Sequence, residues 1–351
     1  MKFVLVIIFA LAAAAFSQSG RVKPPERPSG TPRPTQKTPV TYNPTQIAGE
    51  STTPVPSPTP AGSGDVIRIE STLVPIPAAV LDANGRTITT LKLEDFDLQI
   101  NGKPVEIGGL SRSESPIRLA MLFDNSSSVS VARQFEVKAA VKFFDRMIRP
   151  DKDLAALFSV ATFSRLEQPL TNDVRRLTRS IELFAPPEGA TALLDGIIKA
   201  ADYLREVHGR RVMVIVSDGD DTYSDSTLEQ TLRSLQLANC QVYVVKTTDF
   251  ENFVRTRSRV GNANIRQLAA ERRMLEIAVQ TGGRVYSPID EKELDEAFRQ
   301  ISAELSQQYI LSYYPDPATE KRGEFRQIAL TVKNRGTVDV RTRKGYYVPK
   351  K

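Results

Sequence analysis

The chain has 351 residues, room for about two domains of ordinary size. Its formal charge is +6, but residues 1–63 hold six Lys/Arg against two Glu, so the rest is close to neutral. No basic helix face or aromatic–basic motif appears, so no nucleic-acid partner is expected. One cysteine, Cys240, excludes an intramolecular disulfide. One histidine, His208, excludes most zinc sites and any Ser/His/Asp arrangement that does not use it.

Residues 1–17 read as an export signal. Lys2 precedes an apolar run, 3–16, that is short for a bilayer span, and the small-residue pairs Ala13/Ala15 or Ala15/Ser17 fit a signal-peptidase cut. The alternative is an uncleaved membrane anchor; no cysteine follows the run, which excludes a lipoprotein. Residues 18–64 are rich in Pro, Thr and Ser, with eleven prolines between Arg21 and Pro60. Such a stretch buries too little apolar surface to fold and is expected to be an extended tether. The expected location is therefore outside the cytoplasm, periplasmic or secreted.

A small β unit is expected over 65–114. Strand-like residues run from Ile67 to Val80, and Asn84-Gly85 and Asn101-Gly102 are hairpin signals that accept positive φ. From 115 to 306 apolar runs alternate with helical patterns. Strands are expected at 117–123, 154–163, 211–216, 241–247 and 284–286. Helices are expected around Phe143 and Met147 and over 173–183, 191–207, 228–238, 265–280 and 291–305, with Gly282-Gly283 as a stop. That order gives the fold class: α/β, a doubly wound, mostly parallel sheet covered on both faces. Three more strands, at 309–314, 325–332 and 338–348, are expected to pair with those of 65–114. Cys240 opens a strand and reads as a core residue; His208 follows a helix and reads as solvated.

Ligands of such sheets bind at the carboxyl ends of strands. Asp124, Ser126 and Ser128 stand at one such end and offer hard oxygen, which suits Mg2+ rather than zinc or copper. Thr191 precedes a helix, and Asp218 ends a second apolar strand in Ser217-Asp218-Gly219. The two strands can be neighbours, which would bring both carboxylates to one crevice. Each residue also has a plainer role: Asp124 and Thr191 as helix caps, Ser126 and Ser128 as loop hydroxyls, Asp218 in an Asp-Gly turn. Asp220 and Asp221 read as solvated loop acids, and Asp195 as a favourable charge at a helix start.

These segments, in this order, resemble the von Willebrand factor type A domain. Its metal-ion-dependent adhesion site uses a D-x-S-x-S loop, a later Thr and an Asp in a T/S-D-G turn. The matching positions are Asp124, Ser126, Ser128, Thr191 and Asp218, and the resemblance covers about 115–305. Val129 stands where many members have Met. The flanking strings EDFDLQING at 94–102, YILSYYP at 309–315 and VRTRKGYYV at 340–348 resemble an exported bacterial group of related proteins. The resemblance implies a site for Mg2+, Mn2+ or Ca2+ and a protein ligand that supplies a carboxylate.

The segment 249–264 follows a strand and is expected as a loop on the same face; Arg255, Arg257 and Arg259 there would steer an acidic partner. The reading is a metal-dependent binding module, not an enzyme, with the membrane as a partner only if the leader is uncleaved. A metal-dependent hydrolase and an envelope spacer with an inactive site are the alternatives.

Overall fold

The computed structural model describes residues 73–112, 115–127, 133–258, 264–317, 319–333 and 336–349, with backbone alone at 134 and 135. The expected leader, the tether, residues 65–72, Ser128 and Arg259 lie outside the described residues. Among the described residues no helix is long and apolar enough to cross a membrane.

The centre is a six-stranded sheet. It contains β5 (Ile117–Asp124), β6 (Leu154–Val160), β7 (Ser164–Thr171), β8 (Arg210–Ser217), β9 (Gln241–Lys246) and β10 (Val285–Tyr286), in the order β10-β9-β8-β5-β6-β7. All pairings are parallel except β6 with β7. Strand β5 shows why the sheet has two covered faces. Leu119, Met121 and Phe123 point into one apolar cluster, and Ala120 and Leu122 into another. Alternate side chains of a strand leave on opposite faces, so a continuous apolar run demands a helical layer on each.

The first cluster is closed by α1 (Arg133–Met147), α2 (Val174–Glu182) and α7 (Glu291–Gln307). The second is closed by α3 (Leu193–Arg205), α4 (Leu228–Leu237) and α6 (Ile265–Thr281). The stop expected after α6 is real: Gly282 takes φ 81° at its C-cap. A Cβ on Gly283 would sit 1.8 Å from the Val242 carbonyl oxygen, so no side chain fits there.

The flanks are more elaborate than one small unit. Strands β1 (Val74–Leu81), β4 (Gly109–Arg112), β11 (Tyr309–Tyr313) and β13 (Asp339–Thr342) form an antiparallel sheet in the order β13-β1-β11-β4. A second contains β2 (Phe96–Ile100), β3 (Lys103–Val105), β12 (Phe325–Val332) and β14 (Gly345–Tyr347), in the order β14-β12-β2-β3. Both contribute to one core that includes Ile76, Phe96, Leu98, Tyr309, Leu311 and Ile328. Chain segments from before and after the α/β domain therefore pair strand to strand. Asn101 (φ 51°) and Gly102 (φ 73°) make the expected tight turn between β2 and β3.

Three expectations change. The run expected at 154–163 ends at Val160, and the chain returns as β7, an antiparallel edge strand. The segment after β9 is not a loop throughout, because Thr248–Thr256 forms α5. The strand expected over 338–348 is two strands in different sheets, β13 and β14.

Asp153 fixes the start of β5. Its fully buried carboxylate accepts from the backbone nitrogen of Ile117 (2.8 Å) and from the Arg149 guanidinium (2.7 and 2.9 Å). Burial alone would push this carboxyl up, but Arg149 and the backbone donors outweigh it and hold it below its ordinary 3.8. A depressed carboxyl stabilises the fold above its unfolded pKa, and that contribution is lost as pH falls through the folded value. Asp153→Asn is therefore expected to lower stability at pH 7 by about 2 kcal/mol in urea denaturation. The deficit should shrink below pH ~4, as both states take up the proton.

Candidate metal centre

The register of β5 against β8 builds the site. Phe123 lies opposite Val216, so Asp124 and Ser217 emerge together at the carboxyl ends of two adjacent buried strands. The Ser217 hydroxyl donates to Asp124 Oδ2 at 2.6 Å and accepts from the backbone nitrogen of Gly219 at 2.9 Å. One hydroxyl thus holds the first carboxylate and starts the turn that carries Asp218. Gly219 takes φ 79°, the left-handed conformation that the turn needs.

Asp124 is buried, and its Oδ1 accepts from the backbone nitrogen of Ser126 at 3.0 Å. Ser126 is buried as well, and its side chain also bonds to Asp124. The next residue, Ser127, donates to the Gly189 carbonyl through its hydroxyl (3.1 Å), and Glu188 donates to the Asn125 carbonyl (3.0 Å). These bonds lace the β5 loop to the loop that carries Thr191. Thr191 is buried; its nitrogen donates to the Thr222 hydroxyl (3.1 Å), and its carbonyl accepts from the nitrogens of Thr222 and Tyr223. Asp218 is half-buried, with Oδ1 accepting from the Asp220 nitrogen and its carbonyl accepting from the Thr248 hydroxyl. The loops that carry Asp124, Ser126, Thr191 and Asp218 are thus tied to one another at one end of the sheet.

Two acids absent from the sequence reading lie in the same field. Glu136, on α1, is fully buried, and neither carboxyl oxygen has a hydrogen-bond partner among the described residues. Burial chiefly, then the nearby Asp124, push its carboxyl well above the ordinary range, against the pull of Arg133. Glu251, on α5, is pushed up to about 8 by burial, then by Asp218 and Asp124. Asp124 itself is pushed up to about 6 by burial and then by Asp218, against its bonds from Ser126 and Ser217. Four acids share a confined region, and Arg133 beside Glu136 and Arg255 beside Glu251 offset them only in part. Buried negative charge of this kind needs a cation or protons.

The donor set fits a small hard cation: two carboxylates, Asp124 and Asp218, with the hydroxyls of Ser126 and Thr191. No group of three or more His, Cys, Asp or Glu placed to hold a metal occurs among the described residues, so hydroxyls must complete any such site.

Other expected residues have different work. Asp221 is not a solvated acid: it accepts from the Leu193 nitrogen at the start of α3 (2.9 Å) and from the Ser224 hydroxyl (2.7 Å). Asp220 is ion-paired to Arg266 at 2.6 Å. Asp195 does more than favour its own helix start, because it accepts from the nitrogens of Asp225 and Ser226 (both 3.1 Å). Arg255 is exposed and donates to Asn252, and Arg257 is the left-handed C-cap of α5. Cys240 is a buried core residue whose thiol burial pushes up to about 12; His208 is exposed.

The von Willebrand factor type A domain model matches residues 119–300, just over half of the chain. The chain belongs to the von Willebrand factor type A family. The VWA domain resembles solved structures at low identity. An aerotolerance-related membrane protein from Bacteroides fragilis is 20% identical, with 54% of this chain and 98% of that chain covered and a TM-score of 0.42. A von Willebrand factor type A protein from Catenulispora acidiphila is 12% identical, with 73% and 74% covered and a TM-score of 0.46. The PilB minor pilin from Streptococcus sanguinis is 13% identical, with 58% and 64% covered and a TM-score of 0.42. Comparison with curated proteins finds no match.

Because Glu136 is buried and neither carboxyl oxygen is hydrogen-bonded among the described residues, removing its carboxyl should relieve the metal-free VWA domain. Glu136→Leu is expected to raise stability by about 1–3 kcal/mol in urea denaturation with chelator present. A loss of stability would show that this carboxyl has a bonding role.

Proposed function

We propose that this chain is an exported protein-binding module. In this reading its VWA domain engages an acidic residue of a partner at a divalent cation, Mg2+ or else Mn2+ or Ca2+. The supporting observation is the Asp124–Ser217 bond. It brings Asp124 and the turn of Asp218 to one crevice, beside buried acids that only a cation or protons can balance. A bound cation would supply a Lewis-acid position with room for an outside carboxylate. The residues of the chain supply the rest. Asp124 and Asp218 balance charge, Ser126 and Thr191 contribute neutral oxygen, and Ser217 orients Asp124 from behind. Ser128, which continues the D-x-S-x-S pattern, belongs to the proposed donor set, and Arg255, Arg257 and Arg259 to the proposed steering surface.

The hydrolase alternative finds less support. A phosphotransferase of the haloacid dehalogenase type needs a second Asp where Ser126 stands. The single histidine, His208, lies before β8, the length of that strand from the site. Export rests on the apolar leader and the tether in the sequence.

Titration calorimetry tests the reading first. The wild type is expected to bind Mg2+ or Mn2+ saturably, and Asp218→Ala at least about tenfold more weakly, a change of ~1.4 kcal/mol. No measurable affinity would favour the spacer instead. Capture from envelope extract then compares Mg2+ with chelator, for wild type and Asp218→Ala. A partner held equally in all four arms contradicts cation-mediated binding, and phosphate-ester hydrolysis lost in Asp124→Ala would favour the enzyme.

A further inference from the structure

At the end of the central sheet away from Asp124, a cavity of about 280 Å3 opens between the VWA domain and the β flanks. The VWA domain supplies Arg210 and Gln241, at the amino ends of β8 and β9, and the C-terminal part of α4. The flanks supply Pro77 of β1, Ile310 of β11 and the link between β13 and β14, which carries Arg343. The run of β8 separates this cavity from the candidate metal centre by about 23 Å, at ~3.3 Å per residue.

The lining combines apolar walls, Pro77, Leu235 and Ile310, with three cations, Arg210, Arg211 and Arg343; among the described residues it holds no Asp or Glu. Two of the three charges are offset from outside the cavity. Arg211 donates to the carbonyls of Leu204 (2.9 Å), Val207 (3.0 Å) and Ala238 (3.0 Å), at the ends of α3 and α4, where a helix concentrates negative potential. Arg210 donates to the Leu305 carbonyl of α7 (2.8 Å) and lies in the field of Asp153 and Glu304. Arg343 has no such compensation. Its guanidinium donates to the Pro75 carbonyl (2.8 Å) and to the Asn239 side chain, and lies 5.7 Å from the centre of the Tyr346 ring. Each terminal nitrogen spends one N–H on those bonds and keeps a second. Its Nε is buried with no hydrogen-bond partner among the described residues. Burial pulls the group down to about 10, opposed by Tyr346 alone, and no carboxylate acts on it. A buried guanidinium without a countercharge is costly.

We propose that this cavity binds a small organic anion, a monocarboxylate on a short apolar body, with Arg343 as its anchor. A carboxylate matches the guanidinium fork and supplies the countercharge that the lining lacks. The apolar walls take the rest of the molecule and gain from covering it, which a bare inorganic ion would not allow. The volume is just below the ~300 Å3 at which drug-sized sites begin, so the ligand is of fragment size. Because the walls come from both layers, an occupant would also tie the β flanks to the VWA domain. None of these residues belongs to the proposed metal site.

Ligand-observed NMR titration of the full chain, with chelator present so that no metal contributes, tests this. Benzoate or hexanoate is expected to bind saturably, with a Kd of about 1 mM or below. The neutral amides of the same shape, benzamide and hexanamide, and inorganic phosphate should each bind at least about tenfold more weakly. Arg343→Gln should weaken the bound acid by the same factor. Arg343 also bonds the backbone, so Gln236→Glu carries the test if that variant misfolds. Gln236 is half-buried in the lining, and a carboxylate there would answer the cavity's charge from within and weaken the acid at least about tenfold. Circular dichroism checks the fold of each variant. Failure of both acids to saturate, amides or phosphate that bind as well as the acids, or a folded variant with unchanged affinity would each overturn the proposal.

Discussion

Everything at the candidate metal centre depends on β5 and β8 lying side by side, parallel and in one register. Both strands are buried on both faces, so a one-residue slip would exchange the side chains between two filled cores. The packing of Phe123 and Val216 therefore decides where Asp124 and Ser217 emerge. The 2.6 Å bond from Ser217 to Asp124 is the local result of that larger constraint. Asp218 follows one residue later, in a turn that the same hydroxyl begins.

The antiparallel flanks leave this arrangement untouched at its far end. They pair around the points where the chain enters β5 and leaves α7, with β4 against β11 and β1 against both β11 and β13. A buried link joins the two layers: Tyr243 of β9 donates to Glu304 of α7 (2.7 Å), and Arg341 of β13 donates to its other oxygen (2.8 Å). A carboxylate so enclosed is tolerable only with both donors in place, which ties the position of α7 to the β sandwich. This link lies away from the crevice of Asp124.

Much of this was legible in the sequence because apolar periodicity is a local signal. The run of β5, the stop at Gly282 and the turn at Asn101-Gly102 all follow from neighbouring residues. Strand β7 was not legible: Ser164–Thr171 alternates half-buried and exposed residues and holds Pro169, so it resembles a polar loop until β6 pairs with it. Helix α5 was hidden for a similar reason, being nine residues in a polar stretch. The proposed donors Asp124, Ser126, Thr191 and Asp218 could be singled out through their spacing and their places at strand and helix ends. Glu136 was not, because one glutamate on an amphipathic helix says nothing of which face will dock. Asp221 looked solvated, and Asp195 only a charge at its own helix start, because their backbone partners are about thirty positions away in the chain.

Taken together, the fold gathers carboxyl groups in one confined region, with Arg133 and Arg255 opposing only part of their mutual repulsion. Burial and mutual repulsion raise Asp124, Glu136 and Glu251 together, so this crevice favours protons on its carboxyls or, as proposed, a cation beside them. Anomalous diffraction from crystals soaked in Mn2+ examines that claim at the level of atoms. The account predicts one strong peak at the carboxyl ends of β5 and β8, within direct or water-bridged reach of Asp124, Ser126, Thr191 and Asp218. A map with no peak there, or with Asp124 and Asp218 turned to separate regions, would contradict it.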